Sequence, residues 1–121
     1  IVAYYPDQKK AIEFCLKNGY RDGKETIYYP TGKIFYENYM EKNCNQGKTV
    51  FYYPNGSIQI ISNQYYDLLD GAFIQYYENG KTYIEGQYKF DQPHGIFKFY
   101  NANGELIKEV EFYYGNIVNQ K

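Results

Sequence analysis

The sequence predicts an all-β chain: tandem 24-residue β-hairpin repeats laid side by side as an elongated antiparallel meander sheet. Three observations predict it. Gly23, Gly47, Gly71 and Gly95 recur at a constant step of 24 residues, and Gly32, Gly56, Gly80 and Gly104 keep the same step nine residues later. Ahead of the second set stand Tyr28-Tyr29-Pro30-Thr31, Tyr52-Tyr53-Pro54-Asn55, Tyr76-Tyr77-Glu78-Asn79 and Tyr100-Asn101-Ala102-Asn103, so turn residues recur with the glycines. Aromatics make up 21% of the 121 residues, 18 of them Tyr, while Ala is scarce, a balance that favours strands over helices.

In chain order, Tyr4-Tyr5-Pro6-Asp7 places a partial repeat over residues 1–22, with Gln8 where the turn glycine is expected. Gln8 to Lys17 is the one stretch with helical character, but the register makes it a second strand. Full repeats follow over 23–46, 47–70, 71–94 and 95–118, with a short tail at 119–121, all in one domain over 1–121. Within a repeat, Tyr53-Pro54-Asn55-Gly56 reads as a type I turn whose Gly takes the left-handed conformation. The flanking stretches, Lys48 to Tyr53 and Ser57 to Gln64, are rich in Val, Ile, Phe and Tyr and read as its two strands. A looser polar stretch, such as Lys42 to Gly47, leads into the next repeat. Pairing Tyr53 with Ser57 puts Tyr52 opposite Ile58 and Val50 opposite Ile60. On that register Tyr52, Val50, Ile58, Ile60, Tyr76, Ile74, Ile84 and Tyr88 share the face expected to be buried. Tyr29, Phe35, Tyr39, Tyr53, Phe51, Tyr77, Phe73 and Tyr83 share the other with Glu25, Glu37 and Glu85.

Gly47-Lys-Thr-Val-Phe-Tyr-Tyr-Pro-Asn-Gly56 resembles the MORN repeat variant, the module of bacterial YwqK-like, antitoxin-labelled repeat proteins. The resemblance covers nearly the whole chain and departs from the pattern at Gln8 and Asn101. It implies a protein- or lipid-contacting scaffold without choosing a partner.

Catalytic chemistry finds little to work with. The sole His, His94, occupies the turn position before Gly95 that Asp22, Gln46 and Asp70 hold in the earlier repeats, which reads as turn chemistry. Glu13, Glu37, Glu85 and Glu109 share one phase, but equivalent positions lie two strands apart, roughly 9.5 Å, too far for a retaining pair of carboxylates. A solvated ladder that discourages edge pairing is the expectation. The glycines precede strands rather than a helix, unlike a phosphate loop. One His and two separated Cys do not make a four-ligand zinc site, and the meander holds Cys15 and Cys44 too far apart to bond, so free thiols are expected.

These readings lead to a non-enzymatic chain with no cofactor and no catalytic or metal-binding residues. A net charge of -1, with basic and acidic side chains interspersed, gives no footprint for nucleic acid. No run approaches the roughly 18 apolar residues of a membrane span, so a soluble chain is expected. The chain begins without Met, as a processed or trimmed product would, and cytoplasmic and exported settings both stay open. The leading expectation is a protein-binding or scaffolding module, antitoxin-like by resemblance, with Tyr29, Phe35, Tyr53, Tyr77 and Tyr83 as its contact residues. The alternative is glycan or cell-wall polymer stacked on a ladder of tyrosine rings, and the open sheet edges offer a route to self-association.

Overall fold

The computed structural model covers residues 1–121 and forms the predicted hairpins. The strands are β1 (Val2–Tyr4), β2 (Lys10–Glu13), β3 (Leu16–Lys17), β4 (Tyr20–Arg21), β5 (Gly23–Tyr28), β6 (Ile34–Glu41), β7 (Cys44–Asn45), β8 (Gly47–Tyr52), β9 (Ile58–Tyr65), β10 (Leu68–Leu69), β11 (Gly71–Tyr76), β12 (Thr82–Lys89), β13 (Gln92–Pro93), β14 (Gly95–Tyr100), β15 (Leu106–Tyr113) and β16 (Asn116–Gln120). Fourteen make one antiparallel sheet whose main path follows chain order from β1 to β16. β7, β10 and β13 pair antiparallel with the ends of β6, β9 and β12, and β3 pairs with β4 alone. The tail expected at 119–121 continues β16, and Lys121 exchanges backbone hydrogen bonds with Glu109.

Each long hairpin turns at its recurring glycine, Gly32, Gly56, Gly80 or Gly104, with Pro two residues earlier in the first two. Tyr53 N–H donates to the Ser57 carbonyl at 2.8 Å and Gly56 N–H to the Tyr53 carbonyl at 2.9 Å, with Gly56 at φ 94°. Gln8 takes the same left-handed conformation, φ 71°, without the freedom of glycine.

The expected register fails one residue beyond the turn. Tyr52 does face Ile58, but a β-bulge then intervenes, so Phe51 faces Ile60 and Val50 faces Ile61. The bulge takes up Gln59 as an extra residue and bends the strand. A one-residue slip reverses the face of every later residue on the bulged strand. Ile60, Ile84 and Tyr88 therefore lie with Phe51 and Phe73, whereas Val50 and Ile74 lie on the other side with Ile61, Glu37 and Glu85.

The stretch read as loose is a tight two-residue turn. Lys42 and Asn43 (φ 48° and 68°), Tyr66 and Asp67 (46° and 71°), and Phe90 and Asp91 (47° and 68°) all have positive φ at both positions, the signature of type I′. Asn18-Gly19 and Tyr114-Gly115 repeat it at the two ends.

Little of the chain is buried. Seven residues are, and only Phe97 and Val110 among them are apolar. Stability therefore lies in the ladders rather than in a core, yet consecutive hairpins share few rungs. β6 and β8 pair only at Tyr36↔Phe51 and Glu37↔Val50, against six positions within the β8–β9 hairpin. Side chains complete the junctions. At the Pro-turn end the hydroxyls of Tyr5, Tyr29, Tyr53 and Tyr77 donate to the carbonyls of Tyr28, Tyr52, Tyr76 and Tyr100 at 2.6–2.7 Å. At the I′ end the carboxamide of Asn43 and the carboxylates of Asp67 and Asp91 accept from the N–H groups of Arg21, Asn45 and Leu69, whose carbonyls accept from the N–H groups of those same turn residues. Where Pro93 has no N–H to offer, the matching turn residue is Gly115, which has no acceptor, and only the Gly115 N–H to Pro93 carbonyl bond remains.

Candidate interaction surface

The five residues singled out in the sequence fall into two aromatic pairs and one lone ring. Tyr29 packs on Phe35 with centroids 5.0 Å apart, and Tyr77 on Tyr83 at 4.6 Å. Tyr53 has Gln59 where the other repeats carry Phe35 and Tyr83. The hydroxyls of Tyr29, Tyr53 and Tyr77 are the junction staples just described, so a partner would meet their rings and not their O–H groups. Burial holds the Tyr53 and Tyr77 phenols above their ordinary range.

The bulge turns Phe35 towards the face that carries Tyr36 and Phe51. Phe35 meets Phe51 at 6.1 Å and Tyr36 at 5.3 Å, and Tyr36 meets Phe51 at 5.2 Å. These rings wall a groove of about 450 Å³ whose floor holds Glu25, Asn38 and Thr49. This groove face carries a central row of cross-strand pairs: Glu25↔Asn38, Thr49↔Ser62, Phe73↔Gly86 and Phe97↔Val110. Its first half is polar, with all four side chains buried, and its second half is apolar. Arg21 reaches Glu25 at 2.8 Å, and its guanidinium lies 4.3 Å over the Phe14 ring. The polar floor was not legible in the repeat pattern, because the bulge puts Glu25 and Asn38 on one face and Glu37 on the other.

The opposite face is a charged and aliphatic strip. Glu37 accepts from Lys24 at 2.7 Å and from the Tyr52 hydroxyl at 2.7 Å, and those hydrogen bonds, Lys24 foremost, hold its carboxyl below the usual range. Burial first, and the Glu37 bond second, push the Tyr52 phenol up to about 12. Tyr100 repeats the bond on Glu85 at 2.7 Å. The phased glutamates thus split: Glu37 and Glu85 brace a neighbouring tyrosine, while Glu13 pairs with Lys10. His94 Nδ1 accepts from Tyr114 N–H at 3.1 Å, as Gln46 accepts from Tyr66 and Asp70 from Phe90, so this turn position fastens one I′ turn to the next. Cys15 and Cys44 are free thiols. No helix is long and apolar enough to cross a membrane.

A single-layer sheet of stacked hairpins, with one aromatic-walled face left uncovered, defines a repeat protein of the surface-presenting kind. The profile described as MORN repeat variant matches residues 21–42, 45–66, 69–90 and 93–114, more than half of the chain, and the chain belongs to that family. Repeats of this type are modules of protein and membrane interaction. No curated protein matches the sequence significantly.

Proposed function

We propose that the chain is a non-enzymatic protein-interaction module that receives its partner on the groove face. One observation carries this reading: the Tyr29–Phe35–Phe51–Tyr36 cluster is only half-buried, and no second layer covers it. Large rigid rings beside a polar floor are the anatomy of an interaction patch. An antitoxin-like role, holding a single protein target, is the narrower form of the same reading. A glycan-binding reading draws support from Tyr29, Tyr53 and Tyr77, one ring per repeat at constant phase, but two of these rings already stack on a neighbour. The test is a pull-down with the wild-type chain and with Phe35→Ser and Phe51→Ser variants shown by circular dichroism to be folded, run beside an insoluble-polysaccharide pull-down. A protein captured by the wild type, binding the purified chain, and lost from both variants supports the interaction reading. Retention on polysaccharide with no protein captured overturns it in favour of glycan.

A further inference from the structure

The repeats supply an internal control for the groove floor. In repeats three and four the central row is Phe73, Gly86, Phe97 and Val110, and the protein fills that half of the face itself. Phe97 lies so close over Gly86 that an added Cβ would stand 2.6 Å from its ring, and it meets Tyr88 and Phe112 edge-on at 5.6 and 5.2 Å. In the same slots of the first two full repeats stand Glu25, Asn38, Thr49 and Ser62, only 3–5% exposed. Burying polar groups is costly, and the later repeats show that this backbone does not need them for folding.

Their hydrogen bonds leave one kind of vacancy. Asn38 Nδ2 donates to Asn45 Oδ1 and faces Glu25 Oε2 at 3.5 Å and Met40 Sδ at 3.1 Å. The amide orientation is thereby fixed, since its reverse would set oxygen against two oxygens. Asn45 Nδ2 is spent on Asp67, Thr49 Oγ1 on Gln64 Oε1 at 2.6 Å, and Gln64 Nε2 on Ser62 Oγ at 2.9 Å. Asn38 Oδ1 is buried and accepts nothing. Beside it, Glu25 Oε2 has only the long Asn38 contact, while Oε1 already holds the guanidinium of Arg21. Asn38 Oδ1 is the one buried side-chain N or O atom with no partner, and with Glu25 Oε2 it gives the groove lined by Tyr36 and Phe51 two open acceptor oxygens. Paired oxygens under aromatic walls suit a planar, positively charged N–H donor.

We infer that this groove is a binding site for a guanidinium group, seated on Asn38 Oδ1 and Glu25 Oε2 with its plane against Tyr36 and Phe51. The unbranched Met40, lying against Asn38, is the adaptable side chain that gives way on entry. The inference shares its groove with the interaction reading, and the test separates the two because it uses the purified chain with no protein partner.

The experiment titrates the full chain with butylguanidinium, and with butylurea as a neutral planar donor, following the side-chain amide signals of Asn38, Asn45 and Gln64 by NMR. A blocked tripeptide containing one arginine distinguishes the two sources of the group: tighter binding than butylguanidinium indicates an arginine of a protein partner, and equal binding a free guanidino compound. We expect saturable shifts with butylguanidinium, weaker binding of butylurea, and a loss of about tenfold or more in Asn38→Leu and Glu25→Gln. A double variant with apolar side chains at both positions, Glu25→Leu with Asn38→Val, is expected to abolish binding. Asn38→Leu serves if that pair does not fold. No saturable shift, equal binding of butylurea, or undiminished binding in Asn38→Leu overturns the inference and leaves Asn38 Oδ1 to water.

Discussion

Replacing Tyr53 by Phe removes one oxygen and tests what joins the hairpins. The phenol donates to the Tyr76 carbonyl at 2.6 Å across a junction in which β9 and β11 share only Ile61↔Ile74 and Ile60↔Gln75. The ring stays, so packing is unchanged, and the loss is that of one partly buried hydrogen bond, about 0.5–1.5 kcal/mol. For a chain of 121 residues, about 1 kcal/mol corresponds to a fall of about 4 °C in melting temperature. Because repeat proteins are stabilised by nearest-neighbour interfaces, the deficit falls on the coupling between the hairpins on either side and broadens the transition. The assay is thermal and urea denaturation followed by circular dichroism, beside Tyr39→Phe, whose ring is 49% exposed and whose replacement should stay within about 0.5 kcal/mol of wild type. If Tyr53→Phe behaves like Tyr39→Phe, the tyrosine staples do not hold the junctions and the reasoning fails.

Gly86→Ala sets a Cβ 2.6 Å from the Phe97 ring and should cost about 1–3 kcal/mol by overpacking; most of that loss should be recovered in a Phe97→Leu background, as measured by a double-mutant cycle. Gln8→Gly relieves a left-handed glutamine at φ 71° and should stabilise by up to about 1 kcal/mol in urea titration. The Glu37 carboxyl is held low in the folded chain, so its stabilisation is present above the ordinary carboxylate range and is lost as pH falls through the lowered value; Glu37→Gln should flatten the acid limb of a stability–pH profile. The Tyr52 phenol, raised to about 12, contributes stability below the ordinary phenol value that is lost as pH rises through about 12. Ultraviolet titration should show it ionising late, and earlier in Glu37→Gln.

The architecture was legible because turn chemistry recurs at a constant step: Pro54 and Gly56 mark a turn that Pro30 and Gly32 mark one repeat earlier, and hydrogen bonding at Tyr53 and Ser57 follows from it. The faces were not, because a bulge is a backbone event. Phe35 and Tyr36 are both aromatic, so nothing in that pair tells which one the strand leaves unpaired. The I′ turns were masked by bulky residues at their first position, Tyr66 and Phe90, yet Asn18-Gly19 is the usual dipeptide for such a turn and stands at the same phase. The series Asn43, Asp67 and Asp91 was likewise visible as a period, and only the structure shows it as a row of acceptors between repeats. The polar floor needed both facts, since Glu25 and Asn38 meet only after the bulge has moved Glu37 to the other side.

The groove face as the receiving surface is tested most directly by photo-crosslinking in cells that express the chain, with a photoreactive phenylalanine at position 35 or 39. Phe35 borders the groove and Tyr39 stands exposed among the residues of the opposite face. Crosslinks to one discrete protein from position 35, with none to it from position 39, are predicted. Equal capture from both positions, or capture from position 39 alone, would contradict the groove face as the place where the partner binds.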